Sequence, residues 1–195
     1  ESSPNFKNSG LVNERKFLVK NVNSSASNSA KFKNKNSFSL IPSFQTNYSL
    51  PMIKETIKSR NTLTPKLSLR LSTPHTKDVR RIDRKIDYNN IYDLDRLGID
   101  DSNEGGISLT YGYEQSIVDK SSLEEKLKFG FANNLRFEEN KDLPLNSNLG
   151  DKVSDFVGAL EYKPNKNFKF DYDFSLKNNL NEMNYELYGF EFYLK

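Results

Sequence analysis

The stretch KNFKFDYDFSLK, residues 166–177, decides the fold. Phe168, Phe170, Tyr172, Phe174 and Leu176 alternate with Lys169, Asp171, Asp173, Ser175 and Lys177. Side chains repeat every second residue along a strand, whereas a helix would scatter both sets around its axis. One face of this strand is therefore aromatic and apolar, and the other is charged or small. Working outward, the same alternation recurs. LTPKLSLRLS (63–72) sets Leu67, Leu69 and Leu71 against Lys66, Ser68 and Arg70. GGISLTYGYE (105–114) sets Ile107, Leu109, Tyr111 and Tyr113 against Ser108, Thr110, Gly112 and Glu114. LKFGFANNLRF (127–137) sets Leu127, Phe129, Phe131 and Leu135 against Lys128, Gly130, Ala132, Asn134 and Arg136. In SFSLIPSFQTNYSL (37–50), Phe38, Leu40, Phe44, Tyr48 and Leu50 share one parity.

Two segments are less regular. VSDFVGALEY (153–162) has Phe156, Leu160 and Tyr162 on one face but Val157 and Ala159 on the other. MNYELYGFEFYLK (183–195) changes parity, and a bulge near Gly189 is expected to absorb the switch. KFLVK (16–20) adds a further short candidate. The reading is all-β: an antiparallel meander of about eight long amphipathic strands, several near the ~9–11 residues that cross a bilayer at a tilt. Residues 1–195 form one partial barrel domain, an excerpt of a longer precursor. The connections alternate in length, with short ones at 116–123 and 163–167 and longer ones at 74–105 and 138–152. Outer-membrane barrels alternate in this way, with the long loops outside the cell. Residues 21–36 are polar and of low complexity, and read as a mobile loop.

Composition agrees. Mean hydropathy is −0.77 and the hydrophobic fraction 35%, yet there are 14 Phe and 10 Tyr, too many aromatics for a disordered chain. A barrel strand needs apolar residues only at alternate positions. Lys+Arg 29 against Asp+Glu 26 gives no nucleic-acid footprint, so no nucleic-acid partner is expected. Zero cysteines exclude disulfides and thiolate metal sites within the stretch. His75 stands alone in a loop and reads as solvated. Asp93, Asp95, Asp100, Asp101 and Glu104 lack the ligand spacing and turn glycine of a calcium loop and read as a solvated acidic loop. No catalytic set, phosphate loop or cofactor motif is present, so no enzyme, cofactor or metal is expected.

The segment from Arg81 to Glu114, RIDRKIDYNNIYDLDRLGIDDSNEGGISLTYGYE, is more specific than a period of two. Asn90, Ile91 and Tyr92 form one phrase, and Arg96, Gly98 and Asp100 a second. Glu104, Gly105 and Gly106 then lead into Thr110-Tyr111-Gly112-Tyr113. Gly98, Gly105 and Gly106 allow positive φ and close backbone approach. Arg96 is expected to fork onto Asp100 or Glu104 and tie the loop down, the alternative being contact with an anionic lipid headgroup. This phrase, about fifty residues with its run-in, resembles the barrel part of the LptD family. The resemblance implies a large outer-membrane barrel that inserts lipopolysaccharide into the outer leaflet. It also implies an LptE-like lipoprotein plug, a periplasmic bridge that delivers the lipid, and contact with outer-membrane lipid. The disulfides of some members cannot form within this Cys-free stretch. A general porin would share the periodicity but not the Arg96–Gly106 phrase, and a soluble β-rich binding protein would also show one dry and one wet face.

Overall fold

The computed structural model describes residues 5–6, 10–25, 27, 36–74 and 77–193. His75 and most of 26–35 lie outside them. Among the described residues ten strands form one antiparallel sheet: β1 (Asn5–Phe6), β2 (Val12–Ser25), β3 (Asn36–Ser49), β4 (Met52–Glu55), β5 (Ser59–Ser72), β6 (Gly106–Asp119), β7 (Glu125–Arg136), β8 (Phe156–Asn165), β9 (Phe168–Leu176) and β10 (Met183–Phe192). They lie in the order β1-β2-β3-β5-β6-β7-β8-β9-β10, with β4 paired to β5. Neighbours in sequence are neighbours in space, as an antiparallel meander requires, and the path does not close on itself. Apart from the short β1 and β4, eight strands remain, of nine to fourteen residues.

Several boundaries differ from those read in the sequence. Residues 21–25 continue β2 and are not loop. β6 runs on to Asp119, because Gln115 and Val118 put the wrong polarity on each face and hide a strand that backbone pairing to β5 sustains. β8 extends to Asn165, so the turn before β9 is only Lys166–Asn167. The bulge in β10 lies between Met183 and Tyr185, not near Gly189, and the register is continuous from Tyr185 to Phe192. Tyr185 and Leu187 therefore share the face of Asp171 and Asp173. Tyr185 is kept there by its hydroxyl, which donates to Ile86 O at 3.3 Å.

The two faces of the sheet differ sharply. One is a field of aromatic and aliphatic side chains: Phe17 is 64% exposed, Phe38 65% and Phe190 59%. Cross-strand aromatic pairs stud it, including Phe170–Phe190 at 5.1 Å and Tyr172–Tyr188 at 4.8 Å between centroids. The other face, called inner here, carries the charged and small residues and is where the two long connections fold. The hydrophobic core sits on this inner face. It joins Val79, Ile86, Tyr88, Ile91 and Leu97 of the β5–β6 connection to Leu143 and Leu149 of the β7–β8 connection, over Ala132 and Val157 of the wall. That explains the irregular parity of β8: Val157 faces inward because a folded loop, not water, covers it. The long connections, 73–105, 137–155 and 177–182, leave one end of the sheet, and the turns at 120–124 and 166–167 leave the other.

Candidate functional site: a loop clamped to the inner wall

The β5–β6 connection runs down the inner face of β5, β6 and β7 in register with cross-strand rows. The first row is Arg70, Ser108 and Arg136; the next is Ser68, Thr110 and Asn134; then Lys66, Gly112 and Ala132; then Thr64, Glu114 and Gly130. Alternation puts all of these on one face, with rows about 7 Å apart. One loop side chain docks on each row in turn: Glu104, Arg96, Tyr92 and Tyr88.

Glu104 enters the first row above Ser108, the small residue between the two arginines. Arg96 donates to it twice, Nε to Oε2 at 2.8 Å and Nη2 to Oε1 at 2.5 Å. Arg136 Nη1 donates to Oε1 at 2.5 Å, and Arg70 Nη1 lies 3.8 Å from the same oxygen. Glu104 is fully buried, with Arg96 1% and Arg70 2% exposed. Burial alone would raise the Glu104 carboxyl, but Arg96, Arg70 and Arg136 outweigh it and hold the group at about 2, against an ordinary 4.5. Three cations around one anion leave excess positive charge, which backbone carbonyls absorb. Arg70 Nε donates to Leu94 O at 2.9 Å and its Nη1 to Glu104 O at 2.5 Å, while Arg136 Nη2 donates to Gly105 O. Gly106, with φ +97°, makes the bend that lets the chain pass from this cluster into β6. A Cβ there would sit 3.0 Å from Arg136 Nη2.

On the second row Arg96 also donates from Nη1 to Asn134 Oδ1 at 2.8 Å and to Thr110 Oγ1 at 3.3 Å. On the third, the Tyr92 ring lies over Gly112, where a Cβ would come within 2.5 Å of its hydroxyl. On the fourth, Tyr88 lies over Gly130 in the same manner, and its hydroxyl donates to Glu114 Oε2 at 3.2 Å. The two rings meet edge to face at 6.2 Å. Gly130 beneath the Tyr88 ring thus sets how deeply that part of the loop seats, whereas at Gly112 backbone of β7, Phe131 O and Ala132 Cα, crowds the same space as the Tyr92 hydroxyl. From β2, Lys20 Nζ reaches Asp95 at 2.7 Å and Ile99 O at 2.6 Å.

The structure brings together most of the residues singled out in the sequence, but not all. Arg96 takes Glu104, not Asp100, and with 1% of its surface exposed it has no face for a lipid headgroup while the loop is seated. Asp100 is exposed and makes no contact with the cluster. Of the glycine pair, Gly106 has positive φ and Gly105 does not; Gly98 does, at +61°, on the exposed turn beyond Arg96. Asn90 closes a turn, its Oδ1 accepting Asp87 N–H at 3.0 Å and its Nδ2 donating to Lys85 O at 3.1 Å. The solvated reading of the acidic residues fits exposed Asp93, Asp100 and Asp101 but fails for Glu104, which is buried, and for Asp95, which is part-buried and paired with Lys20. Arg70, Arg136 and Gly130 do not stand out in the sequence. On paper they belong to a face taken as wetted, and nothing short-range separates them from solvated neighbours.

Beside the two rings and beyond them the inner face is hydrophilic. Lys66 pairs with Glu114 at 2.9 Å, and Lys169 with Asp171 at 3.0 Å. A cavity of about 380 Å³ opens there, lined in part by Glu14, Lys16, Tyr88 and Lys128. Among the described residues no group of acidic or histidine side chains is arranged to hold a metal ion. A search of curated proteins finds no match. The family model for LptD, described as LPS transport system D, matches residues 2–193.

Proposed function

This chain belongs to the LptD family, which acts in lipopolysaccharide transport and assembly at the outer membrane of Gram-negative bacteria, and from that premise we propose how its parts serve that task. The sheet is a stretch of barrel wall. Its bare aromatic face meets the hydrocarbon of the bilayer, and its inner face lines the lumen. The 73–105 connection is an outer loop that turns inward, and the short turns at 120–124 and 166–167 face the periplasm. The barrel delivers lipopolysaccharide to the outer leaflet, with a lipoprotein plug and a periplasmic lipid bridge as partners. Catalysis plays no part in this reading; the family is one of transport and assembly.

The observation that carries the reading is the family match over 2–193, on a sheet with one bare apolar face and one polar face that the long connections cover in part. A sheet edge or a charged face cannot lie in lipid, whereas an aromatic face can. The Glu104 cluster acts here as a clamp. It fixes the loop on the wall and so sets how much of the lumen is open at that end.

The test is depletion of the full-length protein, followed by assay of lipopolysaccharide at the cell surface. Loss of surface lipopolysaccharide, with higher permeability to large hydrophobic compounds, is the expected outcome. Normal surface lipopolysaccharide with reduced uptake of small polar solutes would replace this reading with that of a porin.

A further inference from the structure

The β5–β6 connection divides its charge along its length. The second half is acidic, and two of its acids turn to the wall: Asp95 pairs with Lys20, and Glu104 with the guanidiniums of Arg70, Arg96 and Arg136. The first half, residues 77–85, is basic and is fastened by groups that use few of its cations. Val79 N–H donates to Asp142 O at 2.8 Å, and Asp83 accepts from Asn146 Nδ2 at 2.5 Å. This limb therefore crosses the inner side from the end of β5 toward β10, where Lys85 lies 5.3 Å from the Tyr185 ring.

Arg80 is neutralised by a two-point pair with Asp78, at 2.9 and 2.6 Å. Its neighbours have no such close pair. Among the described residues no carboxylate lies within ion-pair distance of Arg81, Arg84 or Lys85. Arg84 gives Nε to Arg96 O at 2.8 Å and, among the described residues, has no carboxylate at ion-pair distance. Arg81 and Lys85 are exposed, and Ile82 between them is 40% exposed. Such a strip focuses positive potential toward the space enclosed by the wall. The guanidinium fork matches phosphate oxygens in two-point geometry, and Lys85 adds a point charge. An apolar residue within the strip suits an amphiphile better than a free ion.

We infer that Arg81, Arg84 and Lys85 form a recognition strip for the phosphate groups of a phosphorylated glycolipid passing along the inner face. The inference rests on the lipopolysaccharide-transport reading and adds where on the chain the lipid's anionic groups are met.

The experiment places a photo-crosslinking residue at Ile82 in the full-length protein in cells and in outer-membrane extracts, and reads lipid adducts. In cells, an adduct with lipopolysaccharide is expected at Ile82. In extracts, R81A/K85A should weaken adduct formation with diphosphorylated lipid A roughly 30-fold, from the attraction usual for each Lys or Arg beside an anionic headgroup. R81K/K85R should retain it, and dephosphorylated lipid A should fail to form it with the wild type. Folded barrel, read by heat-modified migration, should be equal in all variants, because neither side chain takes part in the Glu104 clamp and the ring contact of exposed Lys85 on Tyr185 is a weak one. An undiminished adduct in R81A/K85A would overturn the inference, as would loss of the adduct to millimolar inorganic phosphate, which would make the strip a general phosphate site. A barrel that delivers lipopolysaccharide with no adduct at Ile82 would overturn the strip alone. Surface lipopolysaccharide that survives depletion of the protein would instead defeat the transport reading.

Discussion

Replacing Glu104 by Gln keeps the side chain's size and removes its charge. The carboxylate is fully buried and receives Arg96 Nε at 2.8 Å, Arg96 Nη2 at 2.5 Å and Arg136 Nη1 at 2.5 Å, with Arg70 beyond. An amide oxygen accepts some of these bonds, but three guanidiniums are then left in the interior with no anion. Breaking one side of a buried ion pair costs about 3–5 kcal/mol. The depression of the carboxyl from 4.5 to about 2 gives a comparable figure, on the order of 3 kcal/mol. The cost falls on seating of the loop, since Arg70 and Arg136 belong to the wall and Arg96 and Glu104 to the loop. Trypsin reads this directly. The bond after Arg96 is buried and is cut only when the loop lifts, whereas the bond after exposed Arg81 serves as an internal control. In the full-length protein extracted from outer membranes, cleavage after Arg96 should accelerate about 100-fold in E104Q, because cleavage follows the population of the open form. Cleavage after Arg81 should change little. Equal rates after Arg96 in E104Q and wild type would refute the clamp.

The same cluster predicts a pH dependence. The carboxyl is depressed, so its contribution is complete above about pH 4.5 and lost as pH falls toward 2; pepsin cleavage of the wild-type loop should rise through that window after correction for pepsin's own profile, and E104Q should show no such rise. G130A should lift the loop, since a methyl group there meets the Tyr88 ring; about 1–3 kcal/mol of overpacking is expected, read by the same trypsin cleavage after Arg96. On β9, F170R should hinder membrane assembly by about 2–4 kcal/mol while D171R, on the inner face, is mild, as scored by the heat-modified fraction of full-length protein.

The strands were legible because their cause is local. Phe168 to Leu176 alternate without exception, and the aromatic face they define is the bare face of the sheet. The misread boundaries share a physical origin. β6 beyond Glu114 and the first residues of β10 are held by backbone pairing and by contacts to the loop, not by their own polarity pattern. The site was half legible. The Arg96–Gly106 phrase marks a loop that must turn sharply and bring a charge with it. What the sequence does not display is the wall side of the contact. Arg70 and Arg136 are 66 residues apart in the chain and become neighbours only through the β5–β6–β7 register across Ser108. The burial of Glu104 follows from that pairing, so a local reading of the acidic run returns a solvated loop.

The β5–β6 connection folds back and seats on the inner face of the sheet instead of standing free of it. Asn103 Nδ2 lies 2.5 Å from Ser43 Oγ on β3, sixty residues away, and such short side chains place the two backbones close together. The 195 residues contain no cysteine, so the pair N103C and S43C can be introduced with no competing thiol in this stretch. The decisive measurement is cross-linking of that pair by a short thiol-specific reagent in the full-length protein within native outer membranes, beside a control pair, Ser108→Cys and Ser68→Cys, set one row apart on paired strands. Seated loops predict that N103C/S43C cross-links at least as completely as the control. A control that cross-links while N103C/S43C stays free would contradict the account.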